Sequence, residues 1–343
     1  MTMSVPTKTM NNAVVGIIAN PAAGKDIRRL VAQGRVIPNH EKINIVRRIY
    51  AGLDSIGIDQ VLFMPDPYDL CWNAFKSTPF DFKCEKVSMH TYASDLDSVE
   101  ASKAMVDIGV ACIITLGGDG TNRSVAKGSR STPLIAVSTG TNNVFPEMIE
   151  GTTAGQAAAA IARGFIDPNE VSSRRKLIEI QPKQSSNEID TALIDLAISN
   201  RDFIGSRALW EPESIIEIVL SQAVPGNTGI SAIGAALMPT TPEEDTGLHL
   251  KLGHGGISVK APMVPGLVST IGVQECTPIK FGEQIKCKYP SGTVALDGER
   301  TLNFKGDATL GITLTRNGPT LVNVRKALHK ASLGGVFSIR NTF

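Results

Sequence analysis

Between Ala13 and Ser138, apolar runs of strand length alternate with stretches whose apolar residues recur at helical spacing. That alternation leaves few folds open, because each run must be a strand buried on both faces and joined to the next by a crossover helix. The runs are Ala13–Ala19 (AVVGIIA), Gln60–Met64, Glu85–His90, Val110–Leu116 (VACIITL) and Pro133–Val137. Ile43, Val46, Ile49, Tyr50 and Leu53 mark a helix between the first two, with Gly57 where it would stop. Ser94 with Asp97 three residues later opens another, running to Asp107. The pattern predicts a doubly wound parallel sheet, an α/β domain over residues 13–150.

After Gly151 the texture changes. Thr152–Arg163 (TTAGQAAAAIAR) predicts a small-residue helix despite its glycine. Beyond it, Lys176–Gln181, Ala192–Ser199, Ser214–Leu220, Val264–Val273, Gly292–Leu296 and Ala308–Leu314 are β-rich and separated by Gly/Pro turns. They predict a C-terminal antiparallel β domain over residues 151–320. Helical spacing returns at Leu321–Ser332, within a final segment 321–343, and the polar residues 1–12 read as a disordered leader.

Charge and cysteine usage exclude several classes. Lys+Arg number 34 against 33 Asp+Glu, a net charge of +1, so no global field draws nucleic acid or an anionic membrane. No segment approaches the ~18–20 apolar residues of a membrane span. Five cysteines without a CxxC pair fit a reducing, cytoplasmic setting better than a disulfide framework or a zinc ribbon. His249 and His254, set among glycines, read as a turn rather than a metal site.

An anionic ligand must therefore be held locally, and the glycines show where. They cluster directly after predicted strands, where open α/β sheets bind ligands. Three loops converge there: Asn20-Pro21-Ala22-Ala23-Gly24-Lys25, Gly117-Gly118-Asp119-Gly120-Thr121, and Ser138-Thr139-Gly140-Thr141-Asn142-Asn143. In the middle loop the backbone N–H groups of Gly117, Gly118 and Gly120, with Thr121 opening a short helix, suit a phosphate. Asp119 would repel that phosphate and so needs another task. It accepts a proton from an attacking hydroxyl, or it orients the Mg²⁺ that bridges nucleotide phosphates. A specified GGDGT arises by chance about once per million positions. Neither a P-loop nor a GxGxxG fingerprint is present, since Gly24-Lys25 is followed by Asp26 and Gly118-Asp119-Gly120 lacks the third glycine. Lys25 is placed to reach phosphate, whereas Arg123, Lys127 and Arg130 read as a solvated helix face and Arg174-Arg175-Lys176 as an exposed turn.

Asn20-Pro21 with Gly24, GGDGT at 117–121 and Thr-Gly-Thr-Asn at 139–142 resemble the superfamily of NAD kinases and diacylglycerol/sphingosine kinases. The length and the STGTNN loop are most similar to AcoX-type ATP-NAD kinase-like proteins associated with acetoin catabolism. The resemblance covers most of the chain. It implies a nucleotide domain, a β domain, a C-terminal segment packing back on the first domain, and an active site in the cleft between them. It further implies transfer of the γ-phosphoryl group of ATP, with Mg²⁺, to a hydroxyl of a small molecule, NAD by default. In that frame Asn20, Pro21, Gly24, Lys25, Thr139, Gly140, Thr141 and Asn142 join the GGDGT loop in holding nucleotide. Leu296-Asp297-Gly298-Glu299 is similar to the DGE of lipid kinases and the DGQ of NAD kinases, which implies Glu299 as a catalytic group and Asp297 as a metal ligand beside Asp119. Asp-Gly is equally the dipeptide of a type I′ hairpin turn, and the two uses are compatible.

The acceptor side departs from the NAD kinase pattern. Ile194-Asp195 stands where those enzymes have Asn-Glu, and Ile230 stands for the tyrosine of their Thr-Gly-Ser-Thr-Ala-Tyr motif, leaving Asp195 and Thr228 as substrate-binding groups. Two alternatives follow: a lipid or other small-metabolite kinase, and a non-catalytic nucleotide-binding regulator of acetoin-type catabolism. Edge strands of the β domain predict a homo-oligomer.

Overall fold

The computed structural model describes residues 12–24, 33–34, 37–140, 142–182, 190–200 and 212–338. All of the expected leader except Asn12, together with Lys25 and Thr141, lies outside the described residues. The first part runs β1 (Val14–Ala19), α1 (Asn39–Asp54), β2 (Gln60–Phe63), α2 (Leu70–Lys76), β3 (Lys83–Lys86), α3 (Leu96–Ile108), β4 (Cys112–Gly117), α4 (Asp119–Ser129) and β5 (Leu134–Ser138). After α5 (Gly151–Ala162), α6 (Pro168–Val171) and β6 (Ser172–Arg174) come β7 (Leu177–Pro182), β8 (Asp190–Ala192), β9 (Asp195–Ser199) and β10 (Ile215–Leu220). The rest is α7 (Ser231–Ala235), β11 (Thr246–Val264), β12 (Leu267–Lys280), β13 (Gln284–Leu296), β14 (Glu299–Thr315), β15 (Thr320–Val322) and α8 (Val324–Leu333).

The first sheet has the order β3-β2-β1-β4-β5-β15-β6, with β1 to β5 all parallel. β1, β4 and β5 are buried along their whole length because helices cover both faces. Ile45, Val46 and Ile49 of α1 pack with Ala157 and Ala160 of α5 and Ala327 of α8 on one face. Ala101 and Met105 of α3 and Val125 of α4 cover the other. The third strand lies at Lys83–Lys86 rather than Glu85–His90. It is a largely exposed edge, and its place is set by pairing with β2, Gln60 to Lys83 through Phe63 to Lys86, rather than by its own hydrophobicity.

The stretch Leu321–Ser332 is not one helix. Leu321 is drawn into the ladder beside Leu134 of β5, and β15 also pairs antiparallel with β6. The helix α8 starts only after Asn323, whose side chain accepts the Lys326 N–H at 2.9 Å as an N-cap.

The second sheet, β12-β11-β10-β9-β13-β14-β7-β8, is antiparallel in every described pairing. The expected strand Val264–Val273 is cut by a turn at Pro265-Gly266, which joins β11 to β12 with Val264 opposite Leu267. His249 lies within β11, opposite Val219 of β10 and Thr277 of β12, so it is a strand residue and not part of a turn. Lys176 is buried rather than exposed; its Nζ donates to the carbonyls of Thr241 and Thr246, both at 2.7 Å, and burial lowers its pKa to about 8. Among the described residues no helix is long and apolar enough to cross a membrane.

The glycine inside the alanine-rich helix α5 has a packing cause. A Cβ on Gly155 would lie 2.2 Å from the Ile49 carbonyl oxygen, and one on Gly52 would lie 2.0 Å from that of Thr152, so α1 and α5 touch through bare backbone. Helix propensity alone predicts that Gly155→Ala stabilises by about 1 kcal/mol. The close approach reverses that sign: the expected result is a loss of about 1–3 kcal/mol in urea unfolding. A gain would contradict the contact.

Candidate functional site

In the first sheet the strand order reverses between β1, which leads to β2, and β4, which leads to β5. Loops leaving the carboxyl ends of such strands frame the crevice where ligands bind. The loop after β1 is tied to its neighbours. Asn20 donates from Nδ2 to Thr121 Oγ1 at 2.9 Å and accepts the Ala22 N–H on Oδ1 at 2.8 Å. At Gly24, with φ +74°, a Cβ would lie 3.0 Å from the Thr139 carbonyl oxygen.

Beneath this loop lies a residue that sequence reasoning missed. Lys42 of α1 is fully buried, and its Nζ donates to the carbonyls of Asn20 (3.1 Å), Pro21 (2.9 Å) and Ala23 (2.8 Å). A buried ammonium is costly unless so bonded. The available signal was a lysine on the stripe that continues through Ile45, Val46 and Ile49.

The helix α4 begins at Asp119, two residues ahead of the expected start, with Gly118 at its N-cap. The glycines of GGDGT clear space for side chains. A Cβ would lie 2.5 Å from Thr121 at Gly117, 2.7 Å from Asn143 Oδ1 at Gly118, and 2.7 Å from Glu299 Oε1 at Gly120. The Asp119 carboxylate accepts the N–H of Val144 on both oxygens (3.1 Å each) and that of Phe145 on Oδ1 (2.8 Å), which pins the loop after β5 to the start of α4. In that loop Thr139 is buried, the Gly140 carbonyl accepts the Ser138 hydroxyl at 2.9 Å, and Asn142 Oδ1 accepts the Thr228 hydroxyl from the second sheet's side.

The β13–β14 connection brings the second sheet to the same place. Asp297 (φ 52°) and Gly298 (φ 72°) form the two-residue turn expected of Asp-Gly, with positive φ at both positions as type I′ requires. Asp297 is buried and accepts the N–H groups of Leu193 (3.0 Å) and Ile194 (2.8 Å) on Oδ1, while its Oδ2 lies 3.5 Å from Arg123 Nε. Its oxygens thus accept protein N–H groups, as those of Asp119 do, while the residue lines the cleft between the sheets. Burial pushes its carboxyl above the ordinary aspartate range, against the pull of Arg123 and the backbone donors. Glu299 instead keeps a half-exposed side chain, held by Arg123 Nη2 at 3.2 Å.

Arg123 is therefore buried, not on a solvated face, whereas Lys127 pairs with Asp190 at 2.8 Å and the exposed Arg130 with Asp107 at 3.1 Å. Asp195 is buried beside the hairpin and accepts the Gly298 N–H at 3.2 Å. Asp119, Asn142, Asp195 and Thr228 line one cleft between the sheets, with Ile230 and Met263 as its apolar wall. Ile194 points elsewhere, into the core shared with α3 and α4.

Residues 15–166 match the ATP-NAD kinase N-terminal domain and residues 176–317 the acetoin catabolism protein X C-terminal domain. Acetoin catabolism protein X of Cupriavidus necator is 36% identical over 330 residues, covering 93% of this chain and 92% of that protein. The chain belongs to the acetoin catabolism protein X family. The two domain matches meet between residues 166 and 176, where β6 hands the chain from the first sheet to the second. Yeast NADH kinase complexed with NADH shares the fold, with a TM-score of 0.53 at 13% identity over 98% of this chain and 94% of that one. A diacylglycerol kinase from Bacillus anthracis superposes with a TM-score of 0.43 at 13% identity over 91% and 97% of the two chains.

Removing Arg123 strands Asp297 as a buried charge. Arg123→Met is expected to cost about 3–5 kcal/mol at neutral pH. Without the guanidinium the folded-state pKa of Asp297 rises further above its unfolded value of about 4. The stability it contributes is then present at low pH and lost as pH rises through the folded value, so the defect should shrink in acid. Urea unfolding of both proteins from pH 5 to pH 8 checks this; a pH-independent difference would argue against the ion pair.

Proposed function

We propose that the chain is an ATP-dependent kinase that transfers a γ-phosphoryl group to a hydroxyl of a small molecule, with NAD as the default acceptor. The observation that carries this is the meeting of Asp119, at the start of α4, with Asp195 and Thr228 in one cleft between the sheets. The match to the ATP-NAD kinase N-terminal domain and the fold shared with yeast NADH kinase support it.

Nucleotide phosphates are held by the first backbone N–H groups of α4 and by the loop from Thr139 to Asn142, with Asn20, Pro21 and Gly24 alongside. Mg²⁺, when bound with the nucleotide, neutralises charge on the phosphates. Such an ion needs only one or two carboxylates besides phosphate and water. Asp119 and Asp297, which both line the cleft, and the half-exposed Glu299 beside Gly120 are the carboxylates at hand for it. In the transfer the acceptor oxygen bonds to the γ-phosphorus as the bond to the bridging oxygen breaks and ADP leaves. The hydroxyl proton passes to Asp119.

A second reading concerns the acceptor. Ile230, Met263 and Val264 give the cleft an apolar wall. Those residues favour a lipid or another small metabolite over NAD.

Labelled phosphate from γ-labelled ATP should appear on one of NAD, diacylglycerol or a panel of small polyols. Asp119→Asn should lower kcat by about 10²–10⁴-fold, with calorimetry showing nucleotide still bound. Nucleotide binding without transfer to any acceptor would point to the non-catalytic regulator and sink the kinase assignment.

A further inference from the structure

We propose that Glu217, His249 and Cys287 form a Zn²⁺ site in the second sheet, separate from the cleft. They come from three strands, β10, β11 and β13, and no spacing in the sequence announces them. One ligand atom from each lies within 4.8 Å of the others. Zn²⁺ with bonds of about 2.0–2.3 Å holds its ligands roughly 3–4 Å apart, so small side-chain rotations close the three on one ion.

The cluster has the features of a built site. Glu217 and Cys287 are 4% and 3% exposed, and the His249 side chain, at 16%, leaves a path from solvent. Glu217 Oε1 meets His249 Nε2, while its Oε2 accepts the Tyr289 hydroxyl at 2.6 Å. Tyr289 thereby orients the carboxylate with one oxygen toward the imidazole and thiol, as outer partners of metal ligands do. The Cys287 thiol is hydrogen-bonded to the same carboxylate as His249 and Tyr289, so a sulfur, an imidazole nitrogen and a carboxylate oxygen already converge on one point.

Oxygen, imidazole nitrogen and sulfur together are a donor set that Zn²⁺ takes and that Mg²⁺, which demands oxygen, does not. Binding releases the Cys287 thiol proton to solvent, and three protein ligands leave a fourth position for water.

The test uses the full chain, stripped with chelator and dialysed against Zn²⁺ or Co²⁺. About one Zn²⁺ per chain should be retained, and it should raise the melting temperature. Co²⁺ should give a thiolate-to-metal charge-transfer band that disappears in Cys287→Ser and persists in Cys276→Ser, whose sulfur lies outside the cluster. Tyr289→Phe should weaken Zn²⁺ binding by about 10–100-fold. No retained metal and no band in the unmodified chain would overturn the site, whether or not Cys287→Ser folds. So would Zn²⁺ held equally well by Cys287→Ser and His249→Gln, which would mark adventitious surface binding.

Discussion

The guanidinium of Arg123 is buried where the two sheets meet, and its charge is tolerable there only because the β13–β14 hairpin comes to it. In a medium of low dielectric an unpaired cation would cost more than most single contacts could offset. The pairing is therefore a constraint on assembly: α4 cannot seat against β4 and β5 in its observed place unless the second sheet presents Asp297 and Glu299. That same seating puts the N-terminus of α4, with Asp119, at the cleft.

Two carboxylates in this region are gripped the same way. Asp119 is held by the successive amides of Val144 and Phe145, and Asp297 by those of Leu193 and Ile194. In each case an aspartate in a tight connection fastens a distant loop through neighbouring N–H groups. Hydrogen bonds to charged groups are worth about 1.5–3 kcal/mol each, roughly twice a neutral bond. Asp119 is half-buried and the Asp297 side chain fully buried, yet both residues line the cleft, so each anchor also sets part of its wall.

The parallel sheet was legible because its signal is local: runs such as VACIITL after one another, separated by stretches of helical spacing. The three loops were legible for the same reason, and they do converge. The sequence was silent where the cause is long-range. Gly118 and Gly120 look like room for a ligand, yet they make room for Asn143 and Glu299, which only the fold brings near. Arg123 read as a solvated cation and Lys42 went unnoticed, because their partners are carboxylates and carbonyls far along the chain. The short β15 was hidden inside a helical pattern, since three residues carry too little periodicity to be seen against the helix that follows. His249 was hidden by the glycines after it, which form an irregularity in β11 rather than ending the strand.

The placement of β15 between β5 and β6 bears on how the molecule is made. The first sheet is continuous only when residues 320–322 have arrived, after the whole second sheet has been synthesised. Until then β5 presents an open edge on a nascent chain, the kind of surface that pairs with the wrong partner. Pairings of such long sequence separation also slow folding. The two sheets differ in architecture and in family match, yet they are not two successive folding events; the first is finished last.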